Sequence, residues 1–158
     1  MLTLTLLATL SAAEAGPTKG FRLGTSAGAS SHCPLAQIKL GYFHEHFGWS
    51  VGFGLVNLSA TGQYYLSSSD SNTRQFVSAS MTPLAFPGAI LGFDGSVALA
   101  VSRSIGASYG VDFHLLNNRS LILSPRIGVD LNEAVDVDAT NQRVVFAPST
   151  AVDLYWSF

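Results

Sequence analysis

Charge is scarce in this chain. Asp, Glu, Lys and Arg make up 11% of its 158 residues, where a soluble domain carries about a quarter. Its 8 basic and 10 acidic side chains leave a formal net charge of −2, so there is no basic field for nucleic acid. No apolar run reaches the ~18 residues of a membrane-spanning helix, and no helix-period stretch or long internal repeat stands out. Cys33 is the only cysteine. It cannot form an internal disulfide, and a single thiol makes no thiolate metal centre; it reads as a small loop residue. His44-Glu45-His46 has ligand-type side chains but no third ligand nearby, and it reads as a turn. Nothing in the sequence calls for a metal or a cofactor.

What is abundant is apolar surface, 47% of residues, spread at period two. The last stretch shows it best. Backwards from Phe158, one face reads Trp156, Leu154, Val152, Thr150, Pro148, Phe146, Val144, and the other Ser157, Tyr155, Asp153, Ala151, Ser149, Ala147, Val145. Successive strand side chains point to opposite faces, so this is one strand with an apolar and a mixed face. The same alternation predicts strands over 21–31, 37–43, 49–66, 76–85, 96–102, 107–115 and 121–132. The third carries a bulge near Val56-Asn57, where its phase slips. A polar loop is expected at 67–74, a Pro- and Gly-marked turn at 86–95, and a short turn at 103–106. A further loop is expected at 136–143. At the start of the chain, Leu2–Leu10 is apolar and Ala13-Glu14-Ala15 has the small-x-small form of a signal-peptidase site. Residues 1–15 therefore read as a secretory signal, although the usual positive leading residues are missing. One domain follows, over 20–158.

The polar face decides what kind of barrel this is. It collects Arg22, Lys39, Asp112, His114, Arg126, Asp130 and Asp153, while the opposite face has almost no charge at strand centres. A soluble barrel has an apolar interior; a membrane barrel shows lipid outside and has a polar lumen. Arg or Lys facing mid-bilayer lipid costs about 2–4 kcal/mol. A balanced charge set on one face and none on the other suits a polar lumen, and these residues are expected to pair as a plug.

A last strand closing on an aromatic residue resembles the bacterial outer-membrane β-barrel proteins. The pattern over 20–158 resembles the small eight-stranded kind, such as the OmpA transmembrane domain and OmpX. The resemblance implies an all-β, closed antiparallel up-and-down transmembrane barrel in the outer membrane, monomeric and non-enzymatic. It also implies recognition of the strand ending in Phe158 by the outer-membrane assembly machinery. With a periplasmic N-terminus, outer loops fall near 30–36, 66–74, 102–106 and 133–143. Tyr42, Phe47, Trp49, Phe86, Trp156 and Phe158 would mark the periplasmic edge, and Tyr64, Tyr65, Phe76 and Phe146 the outer one. Arg74, Arg103 and Arg143 then share the outer rim, at the height of lipopolysaccharide phosphates.

Two other functions remain open. His32 with Asp70-Ser71, and the run Trp49-Ser50-Val51-Gly52-Phe53-Gly54-Leu55, resemble the lipid A palmitoyltransferase family. That resemblance implies an acyltransferase with His32, Asp70 and Ser71 as its catalytic set at the outer rim. The simpler reading of 67–71 is a polar loop. The third possibility is a narrow pore through the lumen.

Overall fold

The computed structural model describes residues 19–30, 33–54, 57–67, 73–85, 90–91, 97–98, 101–116, 120–135 and 142–158. Among the described residues are ten strands: β1 (Gly20–Ser30), β2 (Cys33–Phe43), β3 (Phe47–Gly54), β4 (Asn57–Tyr65), β5 (Thr73–Ala85), β6 (Ile90–Leu91), β7 (Val97–Ala98), β8 (Val101–His114), β9 (Leu121–Val135) and β10 (Gln142–Ser157). Eight of them close into an antiparallel barrel in the order β1-β10-β9-β8-β5-β4-β3-β2, and β6 with β7 forms a separate two-stranded sheet. The fold is the expected all-β closed barrel. The 1–15 segment lies outside the described residues.

Closure is made by β1 and β10, which pair from Arg22↔Ser157 to Ala29↔Thr150. At the end of this seam the Phe158 amide donates to the Phe21 carbonyl at 3.1 Å. Gly20 has φ of 144°, and a Cβ there would lie 2.7 Å from the Phe158 carbonyl oxygen. Both the backbone angle and the close approach require glycine at the seam.

Two strand boundaries differ from the sequence expectation. The 49–66 stretch is two antiparallel strands, β3 and β4, paired from Phe47↔Tyr64 to Phe53↔Leu58. The chain reverses between Gly54 and Asn57, and the register irregularity lies at Leu58/Ala60 within β4. The turn expected at 103–106 is absent: β8 runs through Arg103-Ser104-Ile105-Gly106 against β9. One missed reversal and one surplus reversal left the count at eight but turned the strands between them upside down. Hence β4 ends and β5 begins at the end of the barrel where β1 starts and β10 stops, called here the terminal end. Tyr64, Tyr65 and Phe76 belong to that end, not the far one. Phe86 lies outside the described residues.

The polarity of the wall is the reverse of a soluble protein. Outward positions are exposed and apolar: Leu23, Ile38, Leu40, Phe53, Val77, Met81, Ile105, Ile127, Phe146 and Leu154 are all more than one-third exposed. Inward positions on the same strands are buried and mostly polar. Aromatic side chains gather on the outside of the terminal end, where Phe21 meets Tyr42 edge-on at 5.2 Å and Phe47 meets Tyr64 at 5.0 Å.

The lumen is closed at the terminal end by Phe43, Tyr65, Phe76, Ile122 and Tyr155. Three of these rings lie over a glycine directly opposite in register: Phe43↔Gly48, Phe76↔Gly110 and Tyr155↔Gly24. A Cβ on Gly48 would come within 2.2 Å of the Phe43 ring, and one on Gly110 within 2.4 Å of the Phe76 ring. The missing side chain is the space the ring occupies, so the plug and its glycines are one packing unit.

Facing can be tested on β9. Ile127 is 64% exposed and Arg126 buried. Ile127→Arg should lower stability in lipid bilayers by about 2–4 kcal/mol, read from the denaturant midpoint of the folded-band fraction. A neutral effect would mean that this face meets water.

Candidate functional site, a charged and plugged lumen

Above the aromatic plug, inward positions on six strands bring the charges together around two carboxylates. Asp112 on β8 is the first. Its Oδ2 accepts from the Arg22 guanidinium at 3.1 Å and from the Tyr65 hydroxyl at 2.9 Å. Its Oδ1 accepts from the Ser124 hydroxyl at 2.6 Å. Arg22 also donates to the Tyr65 hydroxyl at 3.2 Å and lies 4.0 Å above the Phe43 ring. The strands carrying Arg22 and Asp112 are not neighbours in the sheet, so this pair spans the lumen.

Asp153 on β10 is the second. Lys39 donates to its Oδ1 at 2.9 Å, while Arg126 Nε is 3.7 Å from its Oδ2. The Tyr155 hydroxyl stands 3.5 Å from the same Oδ2. Lys39 and Asp153 are each 1% exposed. Pairs this buried are retained only when their hydrogen-bonding capacity is met, because lost hydration costs several kcal/mol per ion. Asp130 is buried on β9, and His114 lies at the terminal end of β8. All seven charged or titratable residues expected in the lumen thus lie at inward positions. The sequence pattern did not single out Lys39 as the tighter partner of Asp153.

Arg74 is an eighth member, and it corrects the rim expectation. It is fully buried on β5 at the terminal end, stacks 3.7 Å over the Tyr65 ring, and donates to the Glu45 carbonyl. A guanidinium can take this position because its planar face is weakly hydrated and suits an aromatic ring. Arg74 is therefore not at the far rim. Its inward position would have been legible by extending the alternation of β5 backwards from Phe76. Arg103 is exposed on β8 near the far end, within a strand and not a loop. Arg143 is the second residue of β10, at the same end.

The far half of the lumen is filled by small polar groups. Ser59 donates to Gln37 at 3.1 Å, Gln37 to Asn57 at 2.7 Å, and the Ser78 and Ser108 hydroxyls are 2.6 Å apart. The cavity beside Arg126 and Asp130 measures about 10 Å³, room for one water at most.

His32, Asp70 and Ser71 lie outside the described residues. The strand ends that flank them are at opposite ends of the barrel: Ser30 and Cys33 at the far end, Tyr65 and Thr73 at the terminal end. Glu45, between the two histidines of the 44–46 turn, is bound to Lys19 at 2.7 Å. That hydrogen bond, with the charge of the ammonium, holds the Glu45 carboxyl below its ordinary range.

No protein-family model matches the chain, and no curated protein matches it. Among solved structures it is similar to the N-terminal β-barrel domain of Pseudomonas aeruginosa OprF. The identity is 11% and the TM-score 0.49, over 88% of this chain and 99% of that one.

Distances rank the two Asp153 pairs. A double-mutant cycle should give a larger coupling for Lys39 with Asp153, at 2.9 Å, than for Arg126 with Asp153, at 3.7 Å. Removing Asp153 alone should cost about 3–5 kcal/mol, because it leaves buried cations uncompensated. The reverse order of couplings would assign the primary pair to Arg126.

Proposed function

We propose that the chain is a non-enzymatic β-barrel of the bacterial outer membrane with an envelope-structural role, in contact with lipopolysaccharide at its outer rim. The observation that carries this reading is the inverted wall. Residues such as Ile38 and Ile127 are 60% and 64% exposed, while Arg22, Lys39, Asp112 and Asp153 are 1–2% exposed. In water, that arrangement would expose the apolar surface and bury the charge, each at a cost. In lipid the apolar wall is favourable, and the lumen is the side on which the charges avoid hydrocarbon. A closed barrel also leaves no unpaired sheet edge within the hydrocarbon.

The far end of the barrel is the outer rim in this reading. Arg103 pairs in register with Glu133, and Arg143 with the next β9 residue, Ala134. The two arginines therefore flank one strand, within about 10 Å of each other at the backbone. Arg103 is exposed there, and a guanidinium suits the phosphates of lipopolysaccharide. A pore is the weaker reading, because the aromatic plug and the salt-bridged lumen leave little continuous space.

Expressed with an export signal in a Gram-negative host, the protein should fractionate with the outer membrane. Its folded form should migrate faster on a gel than the boiled form. Recovery in the soluble fraction would overturn the proposal. Arg103→Gln with Arg143→Gln should reduce co-purifying lipopolysaccharide without changing heat-modifiable migration; unchanged retention would remove the rim from the account. Planar-bilayer recordings should show no steady conductance, and an open channel would favour the pore.

A further inference from the structure

The outer wall is not uniformly bulky. Gly62, Ala79 and Ala107 are outward positions on β4, β5 and β8, and they are direct neighbours in register: Gly62↔Ala79 and Ala79↔Ala107. The row continues to Trp49 on one side and Val129 on the other. One outward position towards the far end the wall is tall on β5, β8 and β9, with Met81 paired to Ile105 and Ile105 to Leu131, while β4 still carries a small residue, Ala60. One outward position towards the terminal end it is tall too, with Tyr64 paired to Val77 and Val77 to Tyr109. The low row is the floor of a groove of about 700 Å³ whose lining contains no charged residue.

The dimensions of the groove select its occupant. From Trp49 to Val129 the row crosses four strand spacings, about 19 Å. Strands of a membrane barrel tilt by roughly 35–45°, so a row across them climbs at the same angle to the membrane plane and rises about 12 Å. The register agrees. Trp49 is close to the terminal-end start of β3, whereas Ala107 and Val129 are midway along β8 and β9. A rise of that size is half of an apolar band about 25 Å tall, which is the depth of one leaflet. The lining takes in the low row and the next outward row, Val51, Ala60, Met81, Ile105 and Leu131; from β5 to β9 the floor is one residue row, narrow for the convex wall of a second barrel and suited to one hydrocarbon chain.

We infer that the groove over Gly62, Ala79 and Ala107 is a binding site for one acyl chain of a bilayer lipid. The inference rests on the wall facing lipid, as proposed above. A chain held there touches protein on its floor and along the flank of Met81, Ile105 and Leu131, where a chain on a flat wall touches it on one side. It therefore gains dispersion contacts that boundary lipid elsewhere lacks.

Trp49 lines one end of this groove, and Trp156, the only other tryptophan, lies on β10 near the same end of the barrel. The two make a pair of reporters at one end of the barrel. The protein would be refolded in phosphatidylcholine bilayers containing a graded fraction of lipid brominated in the middle of one chain. Trp156→Phe isolates Trp49, and Trp49→Phe isolates Trp156. Trp49 should be quenched at a severalfold lower fraction of brominated lipid than Trp156. Gly62→Leu with Ala79→Leu should remove that excess. A Cβ at Gly62 meets nothing within 4 Å, so the new side chain enters the groove without disturbing the wall, and heat-modifiable migration checks that the barrel still forms. Equal quenching of the two tryptophans, unaffected by the filled groove, would overturn the inference and leave ordinary boundary lipid. So would a dimer whose formation protects Trp49, since the occupant would then be a second copy. If neither tryptophan were quenched in a folded protein, the lipid-facing wall itself would fall, and the proposed function with it.

Discussion

The pairing of β1 with β10 is the constraint on which the rest of the molecule depends. An open eight-stranded sheet with an apolar outer face would have two edges of unpaired backbone donors and acceptors. Water could satisfy those edges; hydrocarbon could not. Once Arg22↔Ser157 to Ala29↔Thr150 are paired, every strand has two neighbours and the sheet has one inside. That inside is a fixed, narrow volume. The question for the sequence becomes how to fill it without leaving a charge unmatched.

Two kinds of side chain share the task. At the terminal end, rings fill the lumen, and glycines opposite them supply the space. Towards the middle, Asp112 and Asp153 act as hubs. Asp112 is met from three other strands, by Arg22, Tyr65 and Ser124. Because β1 and β8 are not adjacent, the Arg22–Asp112 pair braces the barrel across its diameter, which backbone ladders cannot do. The packing unit and the electrostatic unit are joined through shared residues. Tyr65 stacks under Arg74 while its hydroxyl donates to Asp112, and Phe43 lies beneath Arg22. A cation over an aromatic face keeps part of its electrostatic stabilisation where water is excluded.

Much of this was legible in the sequence, and the failures are physically specific. Facing is set by a period of exactly two, so the inward positions of Arg22, Lys39, Asp112, Arg126, Asp130 and Asp153 follow from alternation alone. Direction is set by reversals, and reversals are legible only where turn residues mark them. Leu55-Val56, between β3 and β4, contains no Gly, Pro, Asn or Asp, so the chain read as one long strand. Arg103-Ser104-Ile105-Gly106 contains a glycine and polar residues, and it read as a turn although β8 passes straight through it. The first of those errors carried Arg74 to the wrong end. Partner choice was less legible still. Which cation meets Asp153 depends on the stagger between β2, β1 and β10, and the sequence of one strand carries no information about stagger.

A lumen filled in this way limits where function can reside. Among the described residues, many inward positions pack a ring, neutralise a charge or close a hydroxyl pair, as Thr61 with Ser80 and Ser78 with Ser108 do. The space left beside Arg126 and Asp130 admits about one water. Recognition of anything larger must therefore use the rim or the outer wall. The hydroxyl pairs bear on that wall as well. β4, β5 and β8 are held together by their backbone ladders and, on the inside, by Ser and Thr pairs, so the outward row between them can be reduced to Gly62, Ala79 and Ala107 without separating the strands. The groove outside and the small polar ladder inside are two faces of one thin section of the barrel.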